Sequence, residues 1–174
     1  MKHNRLVVFI LAIGTAGLVT ATLAVPGGAT KLSATRLSAR SALSVKRTGL
    51  GNILVDGNGR TLYLFGADKP NHSTLSRAGF AVWPAFSSVG TPQARGAVSA
   101  AHIATIRSDG RRQVTYYGHP LYYFVGDRGS GEINGQGLRE FGALWYVLSR
   151  NGHAVTSAPS AKTPGAAEPS GYGY

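Results

Sequence analysis

The feature that most constrains the fold is an internal repeat. The stretch TLYLFGAD (Thr61–Asp68) recurs as PLYYFVGD (Pro120–Asp127), 59 residues further along the chain. Five positions are identical: Gly59, Leu62, Tyr63, Phe65 and Asp68 in the first copy, and Gly118, Leu121, Tyr122, Phe124 and Asp127 in the second. A tryptophan follows each copy, first Trp83 and then Trp145. This duplication predicts two related units that pair in one pseudo-twofold sheet rather than a long solenoid.

Short β-prone runs and glycine-rich turns dominate the chain between the two flanking regions. NILVDGNGRTLYLFG predicts a hairpin around DGNG, and IATIRSDGRRQVTYYG predicts another around SDG. HPLYYFV and ALWYVLS predict two more strands, and NGHAV predicts a final turn followed by a short edge strand. Ser99 is predicted to cap a single helical turn that extends to His102. We therefore expect a mainly β, antiparallel domain with one short helix over residues 51–156, with repeats at 51–86 and 103–148.

The N-terminal residues 1–29 have the composition of a secretory signal. Lys2 and Arg5 precede an apolar run of about twenty residues, and small residues follow near Ala24 and Ala29. An uncleaved membrane anchor is the alternative, because a run of this length can span a bilayer. Both interpretations place the rest of the chain outside the cytoplasm, either secreted or held at the membrane by its N-terminus.

Most of the formal net charge of +11 lies outside the predicted domain. Residues 1–50 hold seven Lys/Arg and no acid, whereas residues 51–156 hold ten Lys/Arg and six Asp/Glu. A mildly basic domain without a Lys/Arg run beside aromatic residues argues against nucleic acid as the partner. We interpret 30–50 as a basic disordered tether, with a helix on an anionic surface as the alternative, and 157–174 as a disordered tail.

Several classes of chemistry have no support in the sequence. The chain contains no cysteine, which excludes disulfides, cysteine-based zinc sites, a thiol nucleophile and lipid attachment at an N-terminal cysteine. It also lacks an HxH or HExxH pair, a GxSxG elbow and a GK[ST] phosphate loop. We therefore predict no catalytic residues and no cofactor.

The repeated residues have a structural interpretation. In a strand, Tyr63 and Phe65 lie on one face and Leu62 and Leu64 on the other, and the second copy follows the same alternation. Aromatic residues at alternate positions build an apolar stripe suited to burial. The aspartate falls three residues after the phenylalanine, where the strand should end, and is expected to accept backbone N–H bonds from the following turn.

Two functional interpretations of the same residues stay open. Asp68 and Asp127, joined by Glu132, could supply oxygen ligands to calcium or another cation. The glycine-rich segment DRGSGEINGQG does not, however, have the spacing of the known calcium loop. The two aspartates could alternatively form the acid and base of a hydrolase.

The motif resembles that of a known bacterial family. LYLFGAD and LYYFVGD both fit the pattern Y-x-[FWY]-x-x-D, and the similarity extends over ILVDGNGRTLYLF, the WP at Trp83–Pro84, RSDGRRQVTYYGHPLYYFVGD, INGQG and LWYVLSRNG. On these residues the chain resembles the bacterial secreted repeat of unknown function, also described as predicted lipoproteins with a YX(FWY)XXD motif. The resemblance implies an extracytoplasmic location and adds no activity.

The chain departs from the family pattern in two places. Family members often carry two cysteines four residues apart before the WP, and Leu75 and Gly79 occupy those places here. The family is also often anchored through an N-terminal lipidated cysteine, which this chain lacks. The resemblance therefore implies a free or N-terminally held protein without the local disulfide.

We expect a non-enzymatic module of the cell envelope with a binding or structural role. Tyr116, Tyr117 and Tyr123 are the candidate binding residues, because consecutive strand residues cannot all point inward. Exposed aromatic rings suit an envelope glycan or a protein as partner.

Overall fold

The computed structural model describes residues 41–157. Within that range the chain forms nine strands: β1 Ala42–Thr48, β2 Gly51–Asp56, β3 Tyr63–Phe65, β4 Gln93–Ala94, β5 Ile103–Ser108, β6 Arg111–Tyr116, β7 His119–Pro120, β8 Arg139–Glu140 and β9 Ala143–Val147. Single 3₁₀ turns at Gly79–Ala81 and Ala100–His102 accompany them. The predictions for residues 1–40 and 158–174 (the signal or anchor, most of the tether and most of the tail) lie outside the described residues.

The strands form three small sheets, in the orders β2-β1-β4, β3-β9-β8 and β5-β6-β7. All pairings are antiparallel except the short one between β1 and β4. The predicted mainly β, antiparallel class is therefore confirmed. In the described part of the chain, no helix is long and apolar enough to cross a bilayer.

The second predicted hairpin is confirmed. β5 and β6 pair from Ile103↔Tyr116 to Ser108↔Arg111, and Asp109 and Gly110 form the turn with φ angles of 46° and 71°. Positive φ at both central residues is typical of a type I′ turn, for which Asp-Gly is a preferred pair.

The first predicted hairpin forms only in part. The chain returns antiparallel after DGNG through the bridge Val55↔Thr61, with the N–H of Asp56 donating to the carbonyl of Arg60 and the N–H of Leu62 donating to the carbonyl of Leu54. The regular pairing of β2 is instead with β1, from Leu43↔Asp56 to Thr48↔Gly51. The carboxylate of Asp56 explains why the chain turns here without a regular hairpin. Its Oδ1 accepts the backbone N–H groups of Asn58 and Arg60, at 2.8 and 2.9 Å, so the turn closes on a side chain.

The predicted tether is also wrong from Ala42 to Thr48, which form β1. Ala42 and Leu43 are completely buried, and Leu43 and Val45 alternate with the polar Ser44 and Lys46. The folded unit therefore begins before residue 51. It also includes two cations that the sequence interpretation had assigned to the tether, Lys46 and Arg47.

The core consists of two apolar clusters on opposite faces of the motif strands. One cluster contains Leu62 and Leu64, and the other contains Tyr63 and Phe65, as the alternation predicted. The segment HPLYYFV forms less regular strand than expected. Only His119–Pro120 is a strand, and Tyr122 bridges separately to Tyr63 and Ala85.

The predicted helical turn near Ser99 is confirmed as the 3₁₀ turn Ala100–His102, but Ser99 makes no side-chain capping bond. The pseudo-twofold relation between complete repeats stays a prediction.

The position of β1 in the core can be tested by truncating one side chain. Leu43→Ala is expected to lower the free energy of unfolding by about 2–5 kcal/mol, because it removes buried methyl groups. Chemical denaturation measures the effect. Arg47→Ala, on the same strand with an exposed side chain, is the control and should cost little; equal stability of the two variants would contradict the assignment of β1 to the core.

Candidate functional site

The two copies of the motif meet directly at their tyrosines. The backbone N–H of Tyr63 donates to the carbonyl of Tyr122 at 2.9 Å, and the N–H of Tyr122 donates to the carbonyl of Tyr63 at 3.0 Å. This antiparallel bridge brings the side chains of each copy against those of the other.

The tyrosine of each copy binds the aspartate of the opposite copy. The hydroxyl of Tyr63 donates to Asp127 Oδ2 at 2.7 Å, and the hydroxyl of Tyr122 donates to Asp68 Oδ2 at 2.6 Å. We call these two hydrogen bonds the crossed pairs. Hydrogen bonds to an ionised carboxylate are the stronger kind, so the crossed pairs bind the two copies together in their interior.

The second oxygen of each aspartate holds the loop that follows its own motif. Asp68 Oδ1 accepts the N–H of Thr74 at 2.7 Å, and Asp127 Oδ1 accepts the N–H of Asn134 at 2.9 Å. This is the backbone acceptance that the sequence predicted for an aspartate at a strand end. It spans six and seven residues, so each aspartate closes a loop rather than a tight turn.

A column of four aromatic rings packs beside the crossed pairs. Trp83 and Trp145 stack with ring centroids 3.8 Å apart and planes 4° apart. Phe65 packs on Trp145 at 4.5 Å, and Phe124 packs on Trp83 at 4.4 Å, so rings of the two copies alternate along the column. Each motif phenylalanine therefore contacts the tryptophan of the other copy.

The motif tyrosines close the sides of this column. Tyr63 contacts Trp83 edge-on with ring centroids 5.4 Å apart, and Tyr122 contacts Trp145 in the same way at 5.2 Å. Edge-to-face contacts of this kind are favourable beyond the area that they bury. The motif aromatics are therefore all used inside the protein.

Burial sets the protonation of the crossed pairs. Desolvation raises the pKa of Asp68 and Asp127 above the ordinary value of 3.8, while the bonds from Thr74, Asn134 and the tyrosine hydroxyls oppose that rise. Desolvation and the adjacent carboxylate raise the pKa of each tyrosine far above 10.0. Both phenols therefore stay protonated and remain donors across the physiological pH range.

The structure offers the cation hypothesis no ligand set. Glu132 Oε2 accepts the N–H of Arg128 at 2.7 Å, a bond that lowers the pKa of this carboxyl, and it also accepts a bond from the Asn134 side chain. Among residues 41–157, no group of three His, Asp or Glu side chains is arranged to hold a metal ion. Both Oδ2 atoms of the motif aspartates are engaged by tyrosines.

The three candidate binding tyrosines have different environments. Tyr116 is completely buried, and its hydroxyl donates to the carbonyl of Arg150 at 2.6 Å, so its proposed exposure is wrong. Tyr123 is half-buried, and its hydroxyl donates to Asp56 Oδ2 at 2.9 Å. Tyr117 is 41% exposed and stacks on His102 with centroids 3.7 Å apart.

Sequence reasoning missed three contributors. Glu140 receives both indole N–H groups, through its carboxylate from Trp83 at 2.6 Å and through its carbonyl from Trp145 at 3.3 Å. The other two are Asp56, which accepts the hydroxyl of the half-buried Tyr123, and His102, which stacks on the exposed Tyr117. The only available signal was that Asp56 stands at the end of a β-prone run, as the motif aspartates do.

A family model described as a secreted repeat of unknown function matches residues 104–149. This stretch is similar to that family. The matched range holds the second motif and Trp145, so the resemblance is confirmed on the second copy. The family description is consistent with an extracytoplasmic location and gives no activity. No curated protein and no solved structure matches the chain.

The two positions at which family members often carry cysteines are in contact here. A Cβ on Gly79 would lie 2.4 Å from Leu75 Cδ1, so the leucine packs directly on the glycine backbone. An apolar contact thus occupies the place of the cysteine pair that is often present in the family that the chain resembles.

The crossed pairs can be tested by double-mutant cycles. We expect Tyr63→Phe and Asp127→Asn to show a coupling energy of roughly 0.5–3 kcal/mol in chemical denaturation, because the first removes the donor and the second removes the charge of the acceptor in the same hydrogen bond. The pair Tyr122→Phe and Asp68→Asn should show a coupling energy of similar size. The matched control is Tyr63→Phe with Asp68→Asn, which lie in one copy and should be close to additive; strong coupling there and none across the copies would exclude the crossed arrangement.

The raised tyrosine pKa values predict a specific pH dependence. The stability from the crossed pairs is fully present below pH 10 and falls as the pH rises above it, because tyrosines of the unfolded chain ionise while the folded ones stay protonated. The Tyr63→Phe/Tyr122→Phe variant should therefore lose less stability than wild type between neutral and strongly alkaline pH. Tyr117→Phe, at an exposed ring, should keep the wild-type slope, and identical slopes for all three proteins would contradict the prediction.

Proposed function

We propose that the protein is an extracytoplasmic, non-enzymatic binding module of the cell envelope, whose exposed aromatic pair Tyr117–His102 binds a glycan. The motif residues serve as the scaffold in this proposal, since their polar atoms and ring faces are engaged inside the protein. The observation that carries the proposal is the unusual presentation of Tyr117, which combines exposure, a constrained backbone and a stacked partner.

The backbone conformation at position 117 favours asparagine over tyrosine. Tyr116 pairs with His119 across a two-residue turn, in which Tyr117 and Gly118 have φ angles of 48° and 80°. Turns with positive φ at both central positions prefer Asn-Gly, and a bulky residue in this conformation is strained. Such strain is a common feature of binding sites, where surrounding structure holds it in place.

The surroundings of Tyr117 hold its ring in one orientation. Its ring lies nearly parallel to His102, at an interplanar angle of 19°, and edge-on to Tyr116 at 4.9 Å. A Cβ on Gly152 would come within 2.5 Å of the Tyr117 side chain, so the tyrosine packs directly on that glycine. A ring fixed in this way loses little conformational entropy when a ligand binds.

The aromatic pair lines a surface cleft of about 410 Å³ that also includes Pro70 and Asn71. We call it the aromatic cleft. Its size suits one or two sugar rings, and it combines flat apolar surface with an amide and a phenol that can form hydrogen bonds. These properties favour a glycan over a flat protein interface.

The proposal can be tested by replacing Tyr117 with the residue that the turn prefers. Tyr117→Asn should leave the domain folded, because Asn-Gly suits this turn, and should weaken glycan binding by about tenfold or more, equivalent to about 1.4 kcal/mol. Isothermal titration calorimetry against N-acetylglucosamine, galacturonate and maltose tetramers measures the change.

Phe141 provides a matched control. It is also an exposed aromatic residue at positive φ, 44% exposed with φ 55°, and it is followed by Gly142 in a two-residue turn. Phe141→Asn makes the same chemical change outside the aromatic cleft and should leave binding unaltered. If wild type binds none of the glycans, or if both variants bind as wild type does, the proposal fails.

A further inference from the structure

We infer that the glycan is acidic, and that Arg77 and Arg107 bind its anionic group in a second cleft that adjoins the aromatic cleft. This inference rests on the proposed function and adds the charge of the ligand. It is carried by three observations: the composition of the second cleft, the placement of arginines on the β5–β6 hairpin, and the position of both clefts along β5.

The second cleft, which we call the arginine cleft, has a volume of about 340 Å³. Arg77 and Arg107 contribute guanidinium groups, and Ser73 and Asn71 contribute neutral polar groups. Leu75, Phe80 and Ile106 supply apolar lining. Guanidinium groups bind carboxylates and phosphates through paired N–H donors, while the apolar lining suits the carbon face of a sugar.

The β5–β6 hairpin places like charges opposite each other beside this cleft, which Arg107 lines. Arg107 lies directly across from Arg112, and Arg111 lies across from Ser108. Like charges at directly opposed positions destabilise a strand pair. Among residues 41–157, no carboxylate forms an ion pair with these hairpin arginines, and Arg112 donates only to Thr105 Oγ1 at 3.3 Å. An anionic ligand would relieve this repulsion.

The two clefts lie next to each other along β5. Asn71 lines both of them, and Ala104 belongs to the aromatic cleft while Ile106 belongs to the arginine cleft. The shared residue Asn71 makes the two clefts neighbours on the surface. One oligosaccharide can therefore place a ring on Tyr117 and His102 and a neighbouring acidic sugar beside the arginines.

One carboxylate in the arginine cleft would repel an anionic ligand. Asp109 lines this cleft at the tip of the hairpin, and its side chain is exposed. It reduces the positive charge without cancelling that of the two arginines. Asp109 therefore offers a test in which binding should improve, since Asn-Gly preserves the preferred turn type.

Calorimetry with a galacturonate tetramer and its fully methyl-esterified form isolates the effect of the carboxylates. Wild type should bind the acid at least tenfold more tightly than the ester, and added salt should reduce that difference. Arg77→Gln/Arg107→Gln should remove most of the preference, because each hydrogen bond to a charged group contributes about tenfold. Asp109→Asn should strengthen binding of the acid severalfold and leave the ester unchanged.

Controls distinguish the inference from the proposed function. Arg95→Gln/Arg139→Gln makes the same change in net charge at exposed positions outside both clefts and should keep the preference. Equal binding of acid and ester that still depends on Tyr117 overturns the inference and leaves the proposed function standing. No binding of either form by wild type overturns both.

Two further probes identify the chemical class of the ligand. A glycerol phosphate oligomer that binds through the same arginines extends the acidic group from carboxylate to phosphate and supports the inference. A glutamate oligopeptide that binds more tightly than either saccharide, without dependence on Tyr117, overturns the glycan as the occupant of the arginine cleft.

Discussion

The structure depends on the crossed hydrogen bonds between the motif tyrosines and aspartates. Neither copy of the motif supplies the hydroxyl that reaches Oδ2 of its own aspartate, because that hydroxyl comes from the other copy. A buried carboxylate or phenol without a partner costs considerable free energy. Each copy therefore depends on the other for this hydrogen bond, which gives a physical reason for the motif to occur in pairs.

The aromatic column makes this polar arrangement effective. Four stacked rings, contributed alternately by the two copies, exclude water beside the crossed pairs. In such surroundings hydrogen bonds are electrostatically stronger than in water, and the charged forms of the groups are disfavoured. The same packing thus raises the pKa values and keeps the phenols as donors. Packing and polar pairing support each other, and neither accounts for the core alone.

Alternation along single strands predicted the faces of Tyr63, Phe65, Leu62 and Leu64, because side-chain direction is a local property. The partner of each aspartate could not be predicted, since it depends on how two distant segments meet. β1 was missed because it continues the basic, Ser/Ala-rich segment 30–50, although Leu43 and Val45 alternate correctly with polar residues. Tyr116 was misassigned because the positive φ of its neighbour, which turns the chain outward, is not visible in the sequence.

The arrangement separates the buried motif residues from the exposed ring of Tyr117. Tyr116 belongs to the core and anchors its hydroxyl on Arg150, while the adjacent Tyr117 lies outside on a strained turn. The buried neighbour and the backbone of Gly152 hold the exposed ring without help from the motif aspartates. A protein with the same motif could therefore keep this core and differ at the turn. The core therefore depends on the motif residues, whereas the exposed ring of Tyr117 depends on the turn that carries it.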